Sequence, residues 1–229
     1  VGEWVDAMVR ISGPAAAALD GVFALDWAVE SGSACEIPAE ETGAATGDAP
    51  VQVAPSGPDL HPEALHQLLL SAIYSARREL VMTTPYFVPD EALVTALLSA
   101  SLRGVSVTLI VPERNDSMLV RYASVAHFED LMRAGVQIAQ FKEGLLHTKS
   151  LTIDGATSVF GSVNLDMRSM WLNFEISLLV YDRAFTERLR ALQHAYRDRS
   201  DLLDLGVWSR RPTWRRLVEN TFRLIGPLL

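Results

Sequence analysis

Between residues 61 and 141 the chain changes period repeatedly, and that constrains the fold more than any other feature. Helix-spaced apolar positions run over His61 to Arg78, Asp90 to Leu102 and Met118 to Arg133. Each is followed by a short strand-like run: ELVMTT, VSVTLIV and VQIAQF. From residue 147 the pattern becomes strands in succession, HTKSLTID, TSVFG and EISLLVYD, and two helices near Phe185 to Leu203 and Thr213 to Leu224 close the chain. The expectation is an α/β fold with a mixed β-sheet sandwiched between helices.

Ahead of this block, Val5 to Ile11 reads as a strand, and Gly13-Pro14 opens an Ala-rich helix running to about Val29. Ser31 to Pro50 is rich in Gly, Ala, Pro and acid with no apolar period, and is expected to be a linker or surface loop. The division expected is therefore residues 1–30, the linker 31–50, and a main domain over 51–229. The chain starts with Val in the middle of a pattern already under way, which suggests a piece of a longer protein. No secretory pattern opens it, and no apolar run approaches the ~18 residues that span a bilayer, so a soluble or peripheral piece is expected. The formal charge of −8 argues against a general nucleic-acid binder. A single cysteine, Cys35, excludes an internal disulfide and a cysteine metal cluster.

The chemistry gathers in HTKSLTIDGATSVFGSVN, His147 to Asn164. Of 20 basic residues only Lys142 and Lys149 are lysine, and Lys149 stands two places after a histidine. On a strand, residues two apart share a face, so His147 and Lys149 project together. A turn at Asp154-Gly155 returns a second strand whose end brings Gly161, Ser162 and Asn164 beside them. An imidazole, an ammonium, an amide and a hydroxyl suit a phosphodiester: His attacks phosphorus or protonates the leaving oxygen, while Lys and Asn bind nonbridging oxygens. No metal-ligand spacing or P-loop occurs in the sequence, so neither a metal nor another cofactor is expected. Glu175, at the head of an apolar strand, is a candidate partner for the other histidine nitrogen. Arg would also hold a phosphate, but Lys aims a compact charge at one oxygen beside the imidazole.

The string H-x-K-x-x-x-x-D followed by G-S-x-N resembles the signature of the phospholipase D superfamily, and the chain is most similar to its bacterial cardiolipin synthases. The likeness runs through VQVAPSGPD, TTPYFVPDEAL, RGVSVTLIVP, AGVQI, GLLHTKSLTID, GSVNLDMRSMWLNFE and RLIGPLL. It implies a phospholipase D-like fold and a phosphatidyl transfer, in which one phosphatidylglycerol gives its phosphatidyl group to a histidine and a second accepts it, forming cardiolipin. It also implies that His147, Lys149, Ser162 and Asn164 line the phosphate site. Glu175 would orient a histidine, Asp154 would support the loop more than touch substrate, and Tyr86, Arg168 and Asn173 would contact the lipid.

Those synthases carry two such strings and this chain carries one. Its opening, WVDAMVRISGP, resembles the segment just after the first string, so the chain resembles the second half of such an enzyme. The implied partners are phosphatidylglycerol, the anionic surface of a bacterial cell membrane, and either the preceding half or a second copy. A hydrolase of the same superfamily, a dimeric nuclease and an inactive docking module are the alternatives.

Three further features have two readings each. Tyr86 and Phe87 in TPYFVPD either flank a lipid entrance or are core aromatics at a Pro-bounded turn. Asp116 either belongs to a ligand site at a strand end or caps a helix. Trp214, Leu217, Val218, Thr221, Phe222 and Ile225 form a helical stripe flanked by Arg215, Arg216 and Arg223, which either lies on an anionic bilayer or packs on its own domain.

Overall fold

The computed structural model describes residues 2–35, 47–58, 63–212, 214, 218, 221 and 222. Strand β1 (Trp4–Val5) and helix α1 (Pro14–Ser31) open the chain. Then come β2 (Val51–Ser56), α2 (Ala64–Ser75), β3 (Glu79–Thr83), β4 (Phe87–Val88), α3 (Glu91–Leu102), β5 (Ser106–Pro112), α4 (Met118–Arg133) and β6 (Gln137–Phe141). After them stand β7 (Leu145–Leu146), β8 (Ser150–Ile153), β9 (Thr157–Gly161), β10 (Leu165–Asp166), α5 (Met167–Trp171) and β11 (Glu175–Val180). Helix α6 (Arg183–Asp198), β12 (Ser200–Leu202) and α7 (Leu205–Ser209) complete the order.

Eight strands form one mixed sheet in the order β12-β6-β5-β3-β8-β9-β11-β2. The three strands separated by helices, β3, β5 and β6, run parallel, as crossovers require. Strand β8 runs antiparallel to both β3 and β9, to which a short turn joins it, and β11 runs antiparallel to β9. Alternation along β3 places Leu80 and Met82 in a core with Leu69, Ile73, Leu97 and Phe128 of the helices α2, α3 and α4. Val81, between them, turns to the opposite core with Ile110, Phe141 and Tyr196 of α6. The sheet is thus covered on both faces, as its alternating pattern leads one to expect.

Departures from the sequence reading have local causes. The strand expected over Val5 to Ile11 forms only at Trp4–Val5, and β4, β10 and β12 are two or three residues long, too short to show a period. Strand β2 falls beside the segment read as linker; it lies at the sheet edge, where its Pro55 removes no needed donor. Residues 36–46 of that linker, and most of the expected helix over Thr213 to Leu224, lie outside the described residues. Helix α6 stops at Asp198 because the chain then pairs with β6 as β12.

Helix α2 ends at Ser75, short of Arg78, because the next N–H groups have another acceptor. The Asp154 carboxylate takes the backbone N–H of Arg77 at 3.0 Å, Arg78 at 2.8 Å and Glu79 at 2.9 Å. Asp154 itself sits in the turn between β8 and β9 with φ of 54°, beside Gly155 at 63°, and so ties that turn to the start of β3. Burial works against its charge, but the three N–H groups and Arg78 hold its pKa below the ordinary carboxylate value. A lowered pKa means this clamp is fully present above the unfolded value near 4 and is lost as pH falls through the folded one. Replacing Asp154 by Ala is expected to cost about 3 kcal/mol in urea unfolding at pH 7. A loss below ~1 kcal/mol would show that the three bonds do not act together.

Candidate active site

His147, Thr148 and Lys149 lie between β7 and β8, not within one strand as the spacing suggests. Strand β7 pairs with β1, whereas β8 belongs to the large sheet, so the chain changes sheets across these three residues. The backbone is held on both sides of the crossing. His147 N–H donates to the Val5 carbonyl at 2.7 Å, and the Lys149 carbonyl accepts from Gly161 N–H at 3.4 Å. Below them a buried polar network pins β8 to α6 and β3. Gln193 donates to the Ser150 hydroxyl at 3.0 Å and to the Val81 carbonyl at 3.1 Å, and Thr83 and Ser150 share a 2.6 Å bond.

The two side chains meet despite the irregular backbone. Lys149 Nζ lies 2.8 Å from both ring nitrogens of His147 and donates to the His147 carbonyl at 2.7 Å. The Trp4 ring lies against the imidazole, centroids 4.5 Å apart and tilted 38°. Asp6 Oδ2 stands 2.8 Å from His147 Nδ1. An ionised carboxylate only accepts, so Nδ1 carries the proton and Nε2 keeps its lone pair. Burial pushes Asp6 up, yet the bond to His147, the Ala7 N–H, and the charges of His147 and Lys149 hold its pKa below the ordinary value.

The carboxylate on His147 is therefore Asp6, which corrects the expectation that Glu175 serves it. Glu175 instead accepts from Asn173 Nδ2 at 3.1 Å. The reason is positional: β1 lies beside β7, which brings residue 6 to the ring, whereas Glu175 begins β11, two strands away from β8.

Lys149 is pushed down by burial, and Asp6, Glu175 and Asp166 oppose that shift through their charges. An apolar cavity of about 30 Å³, lined by Leu69, Met82, Leu151, Val163 and Leu165, abuts the Lys149 side chain. Gly161 is required where it stands: a Cβ there would lie 2.2 Å from the Ile176 carbonyl oxygen, a backbone atom that cannot swing aside. The Ser162 hydroxyl accepts from Ile176 N–H at 3.0 Å and donates to its carbonyl at 3.4 Å, fixing the end of β9 on β11. Asn164 Nδ2 donates to the Ser169 hydroxyl at 3.1 Å, and its Oδ1 is buried without a partner. Asp154 is at the other end of β8, since Ile153 pairs with Leu80 and Ser150 with Thr83. It supports the frame from there.

Of the expected lipid contacts, Asn173 holds Glu175, and the Arg168 side chain is exposed on α5. The Tyr86 hydroxyl donates to both oxygens of Asp116, each at 2.9 Å. Burial, that bond, and the charges of Asp116 and Asp166 push its pKa up to about 12. Phe87 is a core aromatic, 1% exposed. Asp116 does not cap α4, whose N-cap is Ser117. Within the C-terminal stripe, Phe222 stacks on Tyr122 of α4 at 5.2 Å, while Trp214 is 61% exposed.

Sequence reasoning missed Trp4, Asp6, Asp166 and Gln193. Asp6 is 141 positions from His147, so no spacing could join them, although WVD stands inside an opening segment that resembles the family. Among the described residues no group of three or more His, Cys, Asp or Glu side chains could hold a metal ion. Among the described residues, too, no helix is long and apolar enough to cross a membrane.

The family described as "Cardiolipin synthase, PLD-like domain" matches residues 69–195. Cardiolipin synthase A of Serratia proteamaculans is 48% identical, over 100% of this chain and 48% of that protein. Cardiolipin synthase A of Yersinia pseudotuberculosis serotype O:3 shows the same identity and coverage. The chain spans about half the length of the curated relatives it matches. Among solved structures, Nuc, a phospholipase D family member from Salmonella typhimurium, superposes with a TM-score of 0.59 at 22% identity, covering 68% of this chain and 99% of that one. Phosphatidylserine synthase from Haemophilus influenzae gives 0.61 at 18%, covering 78% and 48%. At such identities these two structures bear on the fold alone.

Proposed function

The chain belongs to the cardiolipin synthase family of phospholipase D-like domains, and on that premise we propose that it is one catalytic half of a phosphatidyl transferase acting on phosphatidylglycerol at an anionic bacterial membrane surface. The observation that carries this reading is the set Asp6–His147–Lys149: a carboxylate on Nδ1 and an ammonium held 2.8 Å from Nε2. A phosphodiester oxygen would compete with the imidazole for that ammonium, which brings the leaving oxygen within reach of Nε2.

Two histidines are needed. One attacks phosphorus and the P–O bond to glycerol breaks, leaving a phosphohistidine, while the other gives its proton to the departing glycerol oxygen. That second histidine then takes the proton from the hydroxyl of another phosphatidylglycerol, whose oxygen attacks phosphorus and frees the first histidine. By its position in the second string, His147 takes the acid–base part: it enters the first step as imidazolium, gives its Nε2 proton to the glycerol oxygen, and uses the Nε2 lone pair so exposed as the base of the second step. Residues 1–30 are read as the end of the preceding half, 31–50 as the connection and 51–229 as the catalytic domain. Asp6 then serves the histidine of the half that comes after it. By the same logic Glu175 serves the histidine of the preceding half, or of a second copy.

The test uses vesicles of labelled phosphatidylglycerol with the chain alone, with the chain joined to the preceding half of a relative, and with His147→Asn in each. Cardiolipin from the joined enzyme that vanishes in the variant supports the reading. Phosphatidic acid in its place would make water the acceptor and the protein a hydrolase. Product from the chain alone would mean that two copies supply both histidines.

A further inference from the structure

We propose that the first turns of α4, together with Arg210 and Trp214, form the face by which this chain lies on an anionic bilayer. The proposal deepens the reading above, since it names the surface that delivers phosphatidylglycerol to the site, and it rests on that reading.

Met118 and Leu119 open α4 and are 70% and 46% exposed. A lone exposed apolar side chain is ordinary, but these two have company. A cavity of about 320 Å³ between α4 and α7 is lined by Arg121, Tyr122, Trp208 and Trp214, so the exposed Trp214 ring belongs to the same surface. Arg114 and Arg121 flank the opening of α4 and Arg210 ends α7, all three exposed. Glu113 also lines the cavity, and Asp116 stands nearby with its carboxylate already accepting from Tyr86. The arginines outnumber these acids on a chain whose formal charge is −8. Apolar side chains ringed by arginine match the layers of an anionic membrane surface: lipid phosphates for the guanidiniums, acyl carbon for Met118, Leu119 and the indole.

This face adjoins the site. Asn115 Nδ2 donates to the Pro85 carbonyl at 2.9 Å and the Tyr86 hydroxyl to Asp116, which fastens the segment before α4 to the segment before β4. Strand β4 pairs in parallel with β10, Phe87 beside Leu165, so Tyr86 and Asn164 stand at the same end of that pair. A bilayer under Met118 and Leu119 is therefore one loop away from the amide of the phosphate site. A second exposed apolar surface, Phe23, Leu25 and Trp27 on α1, has the wrong charge for the same partner. Helix α1 carries Asp20, Asp26 and Glu30 and no Lys or Arg, so an anionic bilayer repels it.

The experiment floats this chain with phosphatidylcholine vesicles prepared with and without phosphatidylglycerol. The expected result is binding that requires phosphatidylglycerol and weakens with salt. Arg114→Gln, Arg121→Gln and Arg210→Gln should each weaken it about fivefold, and the three together on the order of 100-fold. Met118→Ser with Leu119→Ser should weaken it about tenfold. Phe23→Ser with Trp27→Ser on α1 should leave it unchanged. In the joined enzyme the triple arginine variant should lose turnover on vesicles by a similar factor. It should keep turnover on short-chain phosphatidylglycerol dispersed as monomers, which also reports an intact fold. Binding that ignores phosphatidylglycerol, or that fails with the α1 pair and survives the arginine variants, overturns the proposal. So does an equal loss on monomeric lipid, which would place the arginines in the site itself. Phosphatidylglycerol-dependent binding through these residues without cardiolipin synthesis by the joined parent keeps the docking face and removes the proposed function.

Discussion

Replacing His147 by Asn is expected to reduce phosphatidyl transfer by the joined two-half enzyme about 10⁴-fold or more. His147 is the group placed to move a proton at Nε2, and its ring is held by Asp6 on Nδ1 and by the Lys149 ammonium against both ring nitrogens. Asn retains a polar side chain of similar reach but cannot move a proton near neutral pH. The imidazole side chain is 22% exposed, so the loss of packing should be small and the variant should fold. Single-turnover measurement of labelled lipid separates the chemical step from binding, and the loss should fall on kcat with KM little changed. A loss under tenfold would remove His147 from the chemistry, whatever the family pattern.

Asp6→Asn is expected to cost about 10³-fold in the same assay with no comparable loss of stability. The carboxylate keeps the proton on Nδ1 and the lone pair on Nε2; a carboxamide can donate to Nδ1 instead and so favour the opposite tautomer. Asp6 is half exposed and held by one ring contact and a neighbouring N–H, so little of the fold depends on it. Asp6→Glu should recover a good part of the activity, which a purely structural role would not predict. The pH dependence has a defined sign. The folded pKa of Asp6 is depressed, so the pairing with His147 is present above the ordinary carboxylate value near 4 and fails only as pH falls below it. Any acid limb of the rate profile at higher pH belongs to other groups. Activity of Asp6→Asn within threefold of the parent would show that the contact orients nothing.

These two variants also mark how far the sequence could be read. His147, Lys149, Ser162 and Asn164 are all legible as candidates because they stand in one short string. The Asp154-Gly155 turn is visible for the same reason, since a left-handed pair between two strand-like runs admits few other structures. Asp166 stands inside NLDMRSMWLNFE but carries no recognisable sign of its link to Asn164 through Ser169, which depends on the one-turn helix α5. Glu175 is legible as a strand-head carboxylate, yet its partner cannot be assigned from that place alone.

The sequence by itself determined the α/β class, the order of most long elements and the family, because period and local motif are properties of neighbouring residues. Tertiary structure alone decided which carboxylate meets which histidine. Residues 4–5 pair with 145–146 across the length of the chain, and only the closing of that ladder places Asp6 on the imidazole. It also decided that Lys149 sits against an apolar cavity and that Asn164 is left with an orphaned carbonyl. Burial and hydrogen-bond completion depend on what the rest of the fold brings alongside, and no spacing within a string records that.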